Sequence, residues 1–169
     1  LEDGRVVSGV GGQYNFVAMA HELPDGRSLI NIRSTREKGD KVTSNIVWNY
    51  AHSTIPRHLR DIVVTEYGIA DLRGKTDSEI IEELLKITDS RFQVELMQQA
   101  KKAGKLRDDY QIPGEFRDNY PEVIIKKLAP FVSKGGFQRF PFGTDFTEKE
   151  QVVGKALKSL KRKSYSKKL

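Results

Sequence analysis

The spacing of apolar residues changes along the chain, and each change predicts a different kind of element. Residues 5–8 alternate in a strand-like way, and Gly9, Gly11 and Gly12 then predict a turn. Residues 13–22 read as a helix, with Phe16, Val17, Ala20 and Leu23 sharing one face. Pro24-Asp25-Gly26 signals a turn. Three β-rich runs follow, at residues 28–34, 42–48 and 61–65. The apolar triplet Ile62-Val63-Val64 has the character of a central, buried strand.

From there the period becomes helical. Thr76 and Glu79 fit a capping box, and Ile80, Ile81, Leu84 and Leu85 continue at helical spacing. Ser90 and Gln93 repeat that signature ahead of a stripe made by Phe92, Leu96, Met97 and Ala100, and Gly104 is placed to stop the helix. Residues 105–121 are polar and irregular, and residues 123–128 predict a further short helix. Residues 135–146 carry four phenylalanines among glycines and a proline, the composition of a segment packed over a surface. Thr147 and Glu150 cap a last helix whose apolar positions are Val153, Ala156, Leu157 and Leu160. Strands interleaved with helices, then helices alone, predict an α/β fold with a helical C-terminal extension. The expected division is a domain at 1–104 and an extension with a basic tail at 105–169.

Composition narrows the classes. The 169 residues are 37% hydrophobic, enough for a core, and none is cysteine, which excludes disulfides, thiolate zinc sites and a cysteine nucleophile. A reducing compartment, the cytoplasm, is the expectation. No apolar run approaches a membrane span, and neither a membrane nor a metal is expected. The net charge of +6 belongs to the end of the chain: residues 155–169 hold seven basic and no acidic residues, leaving 22 basic against 23 acidic elsewhere. A solubilising terminus is the simple reading of that tail, and RNA or an anionic surface the sharper one. Over the near-neutral body no nucleic-acid partner is expected.

Three stretches could carry chemistry. In Gly9-Val10-Gly11-Gly12-Gln13, a glycine turn entering a helix offers backbone N–H groups to an oxyanion or phosphate; a tight structural turn explains the same residues. In Thr65-Glu66-Tyr67-Gly68, a carboxylate follows an apolar strand, where α/β proteins place their sites; a helix cap or a salt bridge to Arg73 is the structural alternative. His52, Arg57, His58 and Arg60 cluster around Pro56, as a solvated loop or a phosphate contact.

Taken together, GVGGQYNF, RSTR, SNIVWNY and IVVTEYGIADLRGK closely resemble the C-terminal domain of the acetyl-CoA hydrolase/transferase family, the family I CoA-transferases. The likeness runs from about Gly4 to Gly104, and FPFGTDFTEKEQ is similar to the C-terminal extension of a longer-chain branch. The resemblance implies a NagB/RpiA-like three-layer domain, here lacking its N-terminal part. It implies coenzyme A as a substrate or product thioester, an acyl-CoA and a small carboxylic acid as partners, and a homo-oligomer. In the family a glutamate attacks an acyl-CoA to give an acyl-glutamyl anhydride and then a glutamyl-CoA thioester. On this pattern Gly12 supplies an oxyanion donor, Gly11 shapes the turn, and Gln13 belongs to the substrate site. Glu66 matches the glutamate that positions the nucleophile, and Arg36 or Lys38 the basic residue that contacts CoA.

The family's nucleophilic glutamate lies several tens of residues before the glycine turn, whereas only ten residues precede Gly11. The chain is therefore expected to be a fragment, inactive alone, and transferase activity is preferred to hydrolase. A non-catalytic CoA-binding or two-chain assembly module is the alternative. A peptidyl-tRNA hydrolase using Gly-Gly-Gln is a remote one, since here the tripeptide runs straight into an apolar helix.

Overall fold

A computed structural model of the chain describes residue 5 and residues 9–50, 52–138 and 140–165. The strand expected at residues 5–8 falls largely outside these, as does the end of the basic tail. The chain forms two compact units, residues 1–127 and 128–169.

The first unit opens with helix α1, Gln13–Glu22, over the span its apolar pattern predicts. Only Val17 of that face is buried. Phe16 stays 73% exposed and Leu23 is exposed too. The turn at Gly26 leads to β1, Leu29–Asn31. A hairpin follows, β2 Thr35–Lys38 and β3 Lys41–Ser44, turning at Gly39. Next come β4, Ile62–Thr65, and β5, Gly68–Asp71.

β1, β4 and β5 make one sheet in the order β1-β4-β5, so the Ile62-Val63-Val64 strand is central as its composition predicts. β1 and β4 are parallel, with Ile30 opposite Val63; β4 and β5 are antiparallel, with Val63 opposite Ala70. Because side chains alternate along a strand, Ile30, Val63 and Ala70 share one face. That face packs with Leu72 and Ile87 into a core. On the other face Leu29 and Ile69 are exposed. Buried Asp61 ties the sheet to its surroundings: Oδ2 accepts from Ser28 N at 2.9 Å, and Oδ1 lies 3.4 Å from His21 Nε2.

α2, Asp77–Lys86, starts at the predicted capping box: Thr76 Oγ1 accepts from Glu79 N, and Glu79 reaches back to Thr76 N. Its apolar face is shared between two cores. Ile80 and Leu84 pack on the sheet; Ile81 and Leu85 join a second cluster with Ala100, Leu106, Tyr110 and Ile112. α3, Ser90–Lys102, ends as predicted at Gly104, whose φ is +66°. Lys105 N donates to Ala100 O, and Gly104 N to Lys101 O, the paired bonds of a Schellman stop.

The start of α3 differs from expectation. Its cap is Asp89, whose carboxylate accepts from Arg91 N. Ser90 instead donates to Gln93 Oε1 and to Arg117 O. The irregular stretch after Gly104 is not a surface loop throughout, since Leu106, Tyr110 and Ile112 are buried in the second cluster.

Helix α4, Pro121–Ser133, is longer than predicted. In the second unit, Thr147 and Glu150 form the expected capping box for α5, Glu148–Tyr165. The phenylalanine-rich stretch does not pack as its composition suggests: Phe137, Phe142 and Phe146 are all exposed. Among the described residues no helix is long and apolar enough to cross a membrane.

Candidate functional site

The glycine turn is built as its sequence requires. Gly11 has φ +63°, a conformation that L side chains rarely adopt. Gly12 follows as the N-cap residue of α1, and its carbonyl accepts the first helical bond from Phe16 N at 3.0 Å. No side chain caps this end, and no acidic residue stands in the first turn. The first N–H groups of a helix have no intrahelical acceptor, so this end has the chemistry to donate to an anion or a polarised carbonyl. A Cβ added at Gly12 would lie 3.1 Å from the Phe16 ring. Gln13 borders a hollow of about 440 Å³ whose wall includes Ile30, Ile32 and Val63, with Tyr50, Ser53 and Arg60 also lining it.

Glu66 stands elsewhere on the sheet. Thr65 pairs with Gly68, so Glu66 and Tyr67 are the two turn residues of the β4–β5 hairpin. Its carboxylate does not pair with Arg73, which instead grips Asp71 through Nε and Nη2 at 3.0 and 2.7 Å. Glu66 Oε2 accepts from the backbone N of Ser34 at 2.8 Å. Ser34 is fully buried, just ahead of β2, so Glu66 is held at the root of the β2–β3 hairpin. Arg36 and Lys38 stand two apart on β2, on the same side of that hairpin and both exposed. Arg36 Nε donates to Thr43 Oγ1 at 3.1 Å.

The structure thus joins Glu66 to the base of the strand bearing Arg36 and Lys38, and Gln13 to the core face of the sheet. Among the described residues no hydrogen bond or ion pair links Glu66 directly to Gly11, Gly12, Gln13, Arg36 or Lys38.

Sequence reading missed the group beneath Glu66. Asp89 is fully buried, and its N donates to Ser34 Oγ at 2.7 Å. Tyr67 Oη donates to Asp89 Oδ2 at 2.7 Å, while Arg91 grips both carboxylate oxygens at 2.8 Å. Burial, then the hydrogen bond to Asp89, pushes the Tyr67 phenol well above its ordinary range. For Asp89 burial opposes the charge, but the bonds from Arg91 and Tyr67 together hold its carboxyl below the ordinary value. Ser34 and Tyr67 lie inside motifs the sequence singles out. Asp89 sits beside a capping signature that drew attention to Ser90.

Of the basic cluster, His52 lines the first hollow, while Arg57, His58 and Arg60 line a second of about 490 Å³ with Arg73 and Lys75. Three of its four cations are matched by carboxylates: Arg57 by Asp77, Arg73 by Asp71 and Lys75 by Glu83. Arg60 donates to Ile55 O and Ser53 Oγ.

A mixed α/β unit with a glycine turn opening a helix and a carboxylate at a hairpin tip is the frame in which the comparisons with known proteins fall. The chain belongs to the acetyl-CoA hydrolase/transferase family: the model of that family's C-terminal domain matches residues 1–100. It is 40% identical over 111 residues to a probable butyrate:acetyl-CoA coenzyme A-transferase of Syntrophomonas wolfei, covering 64% of this chain and 25% of that protein. It is 39% identical over 100 residues to the 4-hydroxybutyrate coenzyme A transferase of Clostridium kluyveri, covering 58% of this chain and 23% of that one. Among solved structures, RipA from Yersinia pestis superposes with a TM-score of 0.51 at 34% identity, over 56% of this chain and 22% of RipA. The chain spans about a quarter of the length of the curated relatives it matches.

Proposed function

We propose that this chain is the C-terminal part of an acyl-CoA:carboxylate CoA-transferase that works through a glutamyl-CoA thioester, with the nucleophilic glutamate outside the 169 residues. What carries the reading is that the family match over residues 1–100 spans both the glycine turn and the Glu66 hairpin. The CoA-transferase names of the relatives favour transfer over hydrolysis.

The chemistry asks for two things from these residues. A carboxylate attacking a thioester carbonyl forms a tetrahedral oxyanion, which collapses to an acyl-glutamyl anhydride and CoA thiolate. The thiolate then attacks the glutamyl carbonyl through a second oxyanion, releasing the first acid and leaving glutamyl-CoA. A backbone donor aimed at each oxyanion lowers both barriers. Gly12 is that donor, and Gly11 sets the turn that aims it. Gln13 borders the hollow walled on its sheet side by Ile30, Ile32 and Val63, which suits the acyl end of the substrate. Glu66 keeps one oxygen on Ser34 N and presents the other to the nucleophile. Arg36 and Lys38 offer cations to the phosphates of CoA.

The test is Glu66→Gln in the complete transferase, followed by exchange of CoA between two carboxylic acids. Turnover is expected to fall at least about 100-fold, as for loss of other oriented groups, with circular dichroism unchanged. Full activity would make Glu66 a structural residue. The 169-residue chain assayed alone is expected to be inactive; turnover there would place the nucleophile inside it.

A further inference from the structure

We propose that Asp89 is a positioning residue for Glu66, acting through Ser34 and Tyr67. The inference rests on the reading of Glu66 as an active-site carboxylate.

Two separate ties run from Asp89 to Glu66. Along the first, Asp89 N donates to Ser34 Oγ at 2.7 Å, and Ser34 N donates to Glu66 Oε2 at 2.8 Å. The second passes through the hairpin: Tyr67 Oη donates to Asp89 Oδ2 at 2.7 Å, and Tyr67 is the residue after Glu66 in the turn. One residue therefore fixes both the donor that holds the Glu66 carboxylate and the backbone that carries it. These partners are far apart in sequence, 55 residues for Ser34 and 22 for Tyr67, so the convergence is tertiary.

A helix cap alone does not need this arrangement. Capping α3 uses one oxygen of Asp89, the acceptor for Arg91 N at 3.0 Å. Such caps are commonly solvated, whereas Asp89 is fully buried and engages both oxygens and its own N–H. A buried carboxylate is tolerated when it is paired and its oxygens are satisfied. Arg91 supplies the pairing through two bonds of 2.8 Å. Thr65 strengthens the same anchor: its Oγ1 donates to Ile87 O at 2.8 Å and accepts from Tyr67 N at 3.1 Å. The hairpin tip is thus bolted to the turn between α2 and α3. The Tyr67 phenol is a donor at neutral pH in any case, and burial with the Asp89 bond pushes its ionisation further up.

The experiment follows the backbone amide of residue 34 by ¹⁵N NMR in the complete transferase. Glu66→Gln identifies the part of its acid response that belongs to the Glu66 carboxylate. Tyr67→Phe and Ser34→Ala each cut one tie and keep the local packing. Each is expected to reduce that response by about 10–30% or more, the strengthening that one linked hydrogen bond lends the next. In the complete transferase both variants are expected to lower kcat about tenfold with KM for acyl-CoA nearly unchanged, the signature of a misplaced group rather than lost binding. An acid response at residue 34 as large in both variants as in the wild type overturns the inference. If Tyr67→Phe does not fold, Ser34→Ala decides alone. A responsive amide together with full turnover in Glu66→Gln upholds the positioning but removes the catalytic reading of Glu66, so the two ideas fail separately.

Discussion

Gly12 is a position where an added methyl group is expected to disturb the fold little and the proposed reaction much. Its φ of −87° suits any residue, and the three atoms nearest an added Cβ belong to the exposed Phe16 ring, which can move aside. Gly12→Ala should therefore lower stability by about 1 kcal/mol or less, the usual difference between glycine and alanine at a helix N-cap. If Gly12 is the proposed oxyanion donor, the same methyl group would stand where a substrate carbonyl approaches the backbone. Loss of one oxyanion donor typically lowers rate by about 10²–10³, and Gly12→Ala is expected to fall in that range. Thermal melting and acyl-CoA turnover, measured on one preparation, check both halves; an unchanged rate would take Gly12 out of the site. Gly11 behaves differently, because its φ of +63° makes any side chain strained. At this scale the sequence is informative about residue type but not about partners. That Glu66 stands at the end of an apolar strand was legible in the sequence. That Ser34 rather than Arg73 would hold it was not, because Arg73 is closer in sequence but is taken by Asp71.

Among the elements, the junction of α2 and α3 governs the site, since the β4–β5 hairpin is anchored to it. Asn119 clamps that junction from the far side. Its Nδ2 donates to Lys86 O and Thr88 O, both at 2.8 Å, and its N and O bond Ser90. Gln93 adds bonds to Leu85 O at 2.9 Å and Phe116 O at 2.7 Å. Asn119→Ala would leave two carbonyls of the turn without this donor. Leaving buried groups unsatisfied costs about 1–3 kcal/mol, and chemical denaturation should show a loss of that size; a midpoint unmoved from wild type would show that water replaces the amide. The elements with a strong local signature are those the pattern predicts: α1 from its period, α2 and α5 from capping boxes, the end of α3 from Gly104. β2 and β5 escape it. Thr-Arg-Glu-Lys has no apolar alternation, and Gly-Ile-Ala-Asp is too short to show one, so both are strands because a neighbour pairs with them.

For the whole molecule, both hydrophobic cores lie within residues 1–127, while the positive charge gathers at the end of the second unit. Removing everything after Leu160 should therefore leave the melting temperature and the transferase activity of the complete protein unchanged. A loss of activity would make the basic tail part of the working surface rather than a solubilising end.

Sequence by itself determined the class of fold, the order of the main elements and the family. Those depend on local period, capping chemistry and short motifs, which a chain carries wherever it folds. It also marked Gly11, Gly12 and Glu66, because the conformations and charges they bring are properties of single residues. Only the tertiary structure decided what stands behind Glu66. Ser34, Tyr67 and Asp89 meet because β1 pairs with β4 and because the α2–α3 turn is buried against the β4–β5 hairpin. Burial then turned an ordinary capping aspartate into an ion-paired anchor, since a carboxylate removed from water must find donors for both its oxygens.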